Sequence, residues 1–157
     1  MIKKILLAVD GSATAKKAAD YTLWLAKNLG AKVSILHVID ERLLRSLFSV
    51  IEGSVLPSAI ESIEENLKND AKLYISQIED QFRDQGVSYE TFLCSGDPSI
   101  EIVREAENMK VDLIILGTHG KGLLESTLLG SVAYGVIHYN TKIPILIIPK
   151  NVHGMEK

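Results

Sequence analysis

A second cysteine, long apolar runs and an excess of positive charge are all missing from this sequence. Cys94 is the lone cysteine, so neither an intramolecular disulfide nor a cysteine-based zinc site can form. No apolar run approaches the roughly 20 residues of a membrane span. The opening MIKKILLAVDGS has too short an apolar core for a signal peptide, and Asp10 interrupts it; a cytoplasmic location is expected, with no membrane partner. The formal charge of -3 leaves no basic face for nucleic acid. No repeat or low-complexity linker divides the chain, and 157 residues are expected to form a single domain over 1–157 that buries about two-thirds of its unfolded surface.

Short apolar runs bounded by glycine and proline fill the space between helical patterns. Ile2–Val9, Lys32–Ile39, Val87–Leu93, Leu113–Leu116 and Ile145–Ile148 read as strands. Ser12 is a candidate N-cap for a helix whose inner face carries Ala15, Ala18, Ala19, Thr22, Ala26 and Leu29, closed by Gly30. Ser58-Ala59-Ile60-Glu61 matches a capping box ahead of a long helix with Ile60, Ile63, Leu67, Ala71, Tyr74, Ile78 and Phe82 on one side, ended by Gly86. Asp97-Pro98 opens a third helix with Ile100, Val103 and Ala106 as its stripe. The third strand has the polar alternation of a sheet edge, and Cys94, ending it, reads as a small hydrophobe. Residues 40–57 read as an inserted loop or a short helix over Glu41–Ile51. Its apolar face, Leu43, Leu44, Leu47, Phe48, Val50 and Ile51, covers either the domain's own core or a protein partner through 43–51.

Five strands alternating with four helices define an α/β fold: an open, doubly wound, parallel five-stranded sheet with helices on both faces. Ligands in such sheets bind beyond the carboxyl ends of the strands, where strand order reverses. Two loops qualify, Asp10-Gly11-Ser12 and Gly117 to Gly122.

The second loop fails two phosphate-loop tests. Gly120-Lys121 is followed by Gly122 and preceded by Ile115 where a P-loop needs its first glycine, and a dinucleotide fingerprint needs glycine at Glu125. What remains is Gly117-x2-Gly120-x9-Gly130-Ser131. Without Cβ atoms at 117 and 120, backbone amides can approach a ribose and phosphates. Gly130 stands where a helix has started or is about to start, so amides of Gly130, Ser131 and Val132 at its positive end suit phosphate oxygens. The competing reading is that these glycines only make turns and permit packing, as Gly135 farther along the helix shows.

This spacing, with ILLAVDGS at the start, ILHVID in the second strand, SGDPS before the third helix and PILIIP at the end, resembles the universal stress protein family in its ATP-binding subgroup, along the whole chain. The resemblance implies an adenine nucleotide α-hydrolase-like sheet and a stress-response sensor or regulator. It places Asp10 near the ribose and any phosphate-bound metal, flanked by Ala8, Val9 and Ser12. Val38 is placed at the adenine edge, Gly117 at the ribose, and Gly120, Gly130 and Ser131 at the phosphates, with Val132 beside them. The implied cofactor is ATP (or ADP or AMP), with Mg or Mn held mainly by phosphate oxygens, since the sequence has no carboxylate cluster spaced to hold one. It also implies a homodimer through the last strand, Ile145, Leu146, Ile147 and Ile148, an apolar edge suited to self-pairing.

Two other readings stand beside it: a scaffold of the same family that binds no nucleotide, and a slow ATPase. Asp10-Gly11-Ser12-Ala13 lacks the serine- and glycine-rich pyrophosphate loop of the nucleotidyl-transfer relatives. No catalytic residue is assigned. His119 and Lys121 read as solvated loop residues or phosphate neighbours, His37 as a strand residue that packs or hydrogen-bonds, and His138, His153 and Ser126 have no partner pattern.

Overall fold

Short β-branched runs that are apolar on both sides can bury themselves only in a sheet covered on both faces, and that is how this chain folds. The structure, a computed structural model, describes residues 1–50, 57–119, 129–140 and 142–151. In chain order the elements are β1 Lys4–Ala8, α1 Ala13–Leu29, β2 Lys32–Asp40, α2 Glu41–Val50, α3 Pro57–Asp84, β3 Tyr89–Gly96, α4 Pro98–Met109, β4 Leu113–Gly117, α5 Ser131–Tyr139 and β5 Ile145–Ile148. All five strands are parallel, in the order β3-β2-β1-β4-β5. Both β3 and β5 are edges, as their sequences indicate.

Alternate residues of the central strands serve opposite cores. Ile5, Leu7, Val9, Val33, Ile35 and Ile115 pack under α1 and α3, against Ala15, Ala18, Ala19, Ala26, Ile75, Ile78 and Phe82. Leu6, Ala8, Leu36, Val38, Ile114 and Leu116 pack under α4 and α5, against Ile102, Val103, Ala106, Ala133 and Val136. The alanine stripe of α1 brings that helix close to the sheet. Gly30 terminates it at φ 64°, with its amide bonded to the Ala26 carbonyl, a conformation that costs glycine little.

Several local expectations shift. Helix α3 starts at Pro57, so Ser58 lies inside the first turn and does not cap it; proline is well suited to that first position. The third strand runs Tyr89–Gly96, two residues later than the sequence pattern and past Cys94, which is therefore inside it. Val87 is still engaged in the helix exit, its amide bonded to the Phe82 carbonyl. In α4 the buried stripe is Ser99, Ile102, Val103 and Ala106, which leaves Ile100 46% exposed. Leu29, the last residue of α1, is also exposed. Within the inserted segment Glu41–Val50 forms α2; Leu44 is buried and Leu43 is 60% exposed, so the proposed apolar face is split at its start, and the side chains of Leu47, Phe48 and Val50 lie outside those described. Ile51 lies outside the described residues. Among those described, no helix is long and apolar enough to cross a membrane.

Candidate functional site

Strand order reverses between β1 and β4, the central pair, and the chain leaves both at the same end of the sheet. Beyond β1, Gly11 adopts φ 77°, and Ser12 caps α1 by accepting the Ala15 amide at 3.1 Å. Asp10 Oδ1 accepts the Ser12 amide at 3.0 Å, which fixes one carboxylate oxygen of the turn. Beyond β4, Gly117 sits so close to α1 that a Cβ on it would lie 2.6 Å from Thr14 Oγ1. Packing alone therefore requires glycine at 117. Ser12 Oγ donates to the His119 carbonyl at 3.2 Å, and the buried Thr14 hydroxyl bonds the same oxygen. The exit of β4 is thus stitched to the start of α1.

The chain returns at Gly130, whose amide donates to the Thr118 carbonyl at 2.7 Å, while the Thr118 amide bonds Ile148 of β5 at 2.9 Å. Gly130 is the N-cap of α5, with φ -72° and ψ 160° and no side-chain cap bond. It is not inside the helix, so the usual penalty for mid-helix glycine does not arise. The leading amides of α5 have no intrahelical partner by geometry, and the start of α5 and the Asp10 turn line one cleft.

That cleft, about 370 Å³, is lined by Ala8, Val9, Asp10, Ser12, Val38, Gly117, Gly130, Ser131 and Val132. Nine of the ten positions picked from the sequence for ligand contact thus meet on one surface; the tenth, Gly120, lies outside the described residues, as do Lys121, Ser126 and His153. His119 lines the cleft too, its Nδ1 2.9 Å from Thr118 Oγ1. The edge residues Ile145, Leu146, Ile147 and Ile148 stand apart, paired with β4 alone.

Residues the sequence did not mark for ligand contact complete the walls. Arg42 and Leu44 come from α2, Tyr74 from α3, and Pro98 and Ile102 from α4. Arg42 grips both Asp40, through Nε at 3.0 Å and the NH2 nitrogen at 2.8 Å, and Asp97, the α4 cap, at 3.2 Å. Burial works against a charge on Asp40, yet the hydrogen bonds and charge of Arg42 outweigh it and hold its carboxyl below the usual range. His37 Nδ1 lies 2.8 Å from the Val9 carbonyl and meets the Tyr74 hydroxyl. No local signal announces Tyr74 as a wall residue, because it belongs to the core stripe of α3. Among the described residues no group of three or more His, Cys, Asp or Glu side chains is arranged to hold a metal.

The model of the universal stress protein family matches residues 1–149. The universal stress protein MJ0577 of Methanocaldococcus jannaschii is 38% identical, over 96% of either chain. The solved structure of MJ0577 superimposes with a TM-score of 0.81, covering 97% of this chain and 99% of that one at 33% identity. An Arabidopsis thaliana universal stress protein family structure with AMP bound matches at TM-score 0.67 and 19% identity, covering 95% and 92% of the two chains. A universal stress protein in complex with cAMP matches at 0.63 and 22%, covering 96% and 98%. At such identities the last two likenesses speak to fold.

Proposed function

This chain belongs to the universal stress protein family, and we propose on that premise that its cleft binds an adenine nucleotide, ATP in the first instance, as the ligand of a cytosolic stress-response regulator. The observation that supports this most is convergence. Positions far apart in sequence, from Ala8 to Val132, line one hollow at the strand-order switch, and the start of α5 enters it without a side-chain cap.

The parts divide by chemistry. Val38, Leu116, Ile102 and Val132 make an apolar slot for a base, with the main chain of β2 at Val38 offering edge hydrogen bonds. Asp10, at the β1 exit, accepts from sugar hydroxyls. The amides of Gly130, Ser131 and Val132 at the positive end of α5 take phosphate oxygens, and Gly120 is assigned to the same task from its spacing. A magnesium or manganese ion enters with the phosphates and touches protein through Asp10. On this reading binding and release, rather than turnover, are its chemistry. Two copies join through β5, edge to edge.

Mass spectrometry of small molecules released from the natively purified protein tests the ligand class. An adenine nucleotide near one per chain supports the assignment; a different ligand at that occupancy overturns it.

A further inference from the structure

At the rim of the cleft one carbonyl oxygen meets two hydroxyls, where a single donor would satisfy it. The oxygen is that of His119, beyond β4. Ser12 Oγ donates to it at 3.2 Å, and the Thr14 hydroxyl donates to it as well. The two hydroxyl oxygens stand 3.2 Å from each other, and Ser12 Oγ also accepts the Ala15 amide at 3.1 Å. Their surroundings differ. Thr14 is buried, at 5% exposure, and among the described residues its proton has only the His119 carbonyl and Ser12 Oγ to go to. Ser12 is half-buried and lines the cleft. Each hydroxyl carries one proton. With Thr14 on the carbonyl, Ser12 can turn its own proton into the cleft without orphaning a buried acceptor.

We propose that Thr14 is a positioning residue for the phosphate end of the nucleotide: it holds the His119 carbonyl and so frees the Ser12 proton for a phosphate oxygen. This inference rests on the nucleotide reading above. Ser12 is in place for the task. The carbonyl of Thr118, next in the chain to His119, accepts the Gly130 amide at 2.7 Å, so the serine stands one residue from the anchor of α5, the helix assigned to the phosphates. Thr14 is in place too, because glycine at 117 lets the exit of β4 come down onto it; a Cβ there would lie 2.8 Å from Thr14 Cβ. When the Ser12 proton turns to a ligand, its oxygen still accepts the Ala15 amide, and α1 stays capped. Without the Thr14 hydroxyl, Ser12 has to remain on the carbonyl and is lost to the ligand. A nucleoside without phosphates draws nothing from this arrangement, since it brings no anionic oxygen to the start of α5.

Calorimetry with ATP and, by displacement, with adenosine tests this on the wild type, Ser12→Gly, Thr14→Val, Thr14→Ser and the double variant Ser12→Gly/Thr14→Val. Glycine is close to serine as an N-cap, so Ser12→Gly removes the donor and keeps the helix. It is expected to cut the preference for ATP over adenosine about tenfold, the scale of one hydrogen bond to a charged group. Thr14→Val is expected to cut that preference at least about threefold while adenosine affinity stays within about twofold. Thr14→Ser should restore it, and Thr14→Val should cut no further in the Ser12→Gly background. Equal weakening of both ligands by Thr14→Val, a further loss in the double variant, or an undiminished preference in Ser12→Gly overturns the inference and leaves nucleotide binding intact. A wild type that binds neither ligand overturns the nucleotide reading and this inference with it. The 13C shift of the His119 carbonyl in the wild type is a second readout that needs no variant to fold. ATP is expected to move it upfield, as loss of one of two donors does, and adenosine to leave it in place; no upfield movement with ATP, or the same movement with both ligands, overturns the inference.

Discussion

The amide of Gly130 donates to the carbonyl of Thr118 at 2.7 Å, so the segment between β4 and α5 begins and ends at one point. This bond holds the N-terminus of α5 at the exit of the central strand pair, opposite Asp10. The proposed nucleotide pose puts its phosphate tail at these helix amides and its base toward Val38.

Gly130 has φ -72° and ψ 160°, values open to any residue. Gly130→Val is therefore expected to keep the fold, with only the modest loss of a poorer N-cap, about 1 kcal/mol. The β-branched side chain would occupy the proposed phosphate position, and nucleotide affinity should fall at least about tenfold, or 1.4 kcal/mol. Titration calorimetry beside a thermal melt checks both halves; undiminished affinity removes the phosphate role from this cap.

Gly135 serves packing. A Cβ there would lie 2.6 Å from Ser99 Cβ, a rigid neighbour that is itself 3% exposed. Alanine's helix propensity gains about 1 kcal/mol over glycine, and overpacking of this kind costs about 1–3 kcal/mol, so the collision prevails. Gly135→Ala should lower stability in a denaturant titration, and adding Ser99→Gly should recover part of the loss. A stabilised single variant contradicts this packing.

Arg42→Met tests the link between α2, β2 and α4. With Arg42 46% exposed, the loss at neutral pH should be only about 0.5–1 kcal/mol. Asp40 has a folded-state pKa below its ordinary 3.8, so its contribution is present above that value and disappears as pH falls through the folded one. Stabilities of wild type and variant, followed by denaturant titration from pH 7 down to acid, should converge below pH 3.8. A gap that stays constant with pH assigns the loss to packing of the arginine stem.

Ile147 lies half-buried in the edge strand β5. Ile147→Lys places a charge on the face proposed for self-pairing, and light scattering should show monomers where the wild type shows dimers. A variant that stays dimeric moves the interface elsewhere.

Much of the architecture was legible because period and punctuation agreed. The apolar runs at Leu113–Leu116 and Ile145–Ile148 are strands, and Ser12 and Asp97 start helices and Gly30 ends one where their chemistry directs. The positions proposed for the ligand came from glycine spacing and the family resemblance, and nine of them share one cleft; Gly117, however, has a second reason to be glycine, the packing of Thr14, that spacing cannot reveal. Tyr74, Arg42 and Ile102 reach the cleft from three helices, a property of how helices cross the sheet rather than of any local pattern. Ile100 was misplaced because a stripe shifted by one residue has nearly the same periodicity; burial of Ser99, a polar residue, decided the register.

Calorimetric titration of the purified chain with ATP and magnesium weighs the nucleotide assignment as a whole. Saturable binding near one nucleotide per chain, competed by AMP and weakened by Gly130→Val, is the expected result. No heat and no competition from a folded, nucleotide-free protein would contradict it.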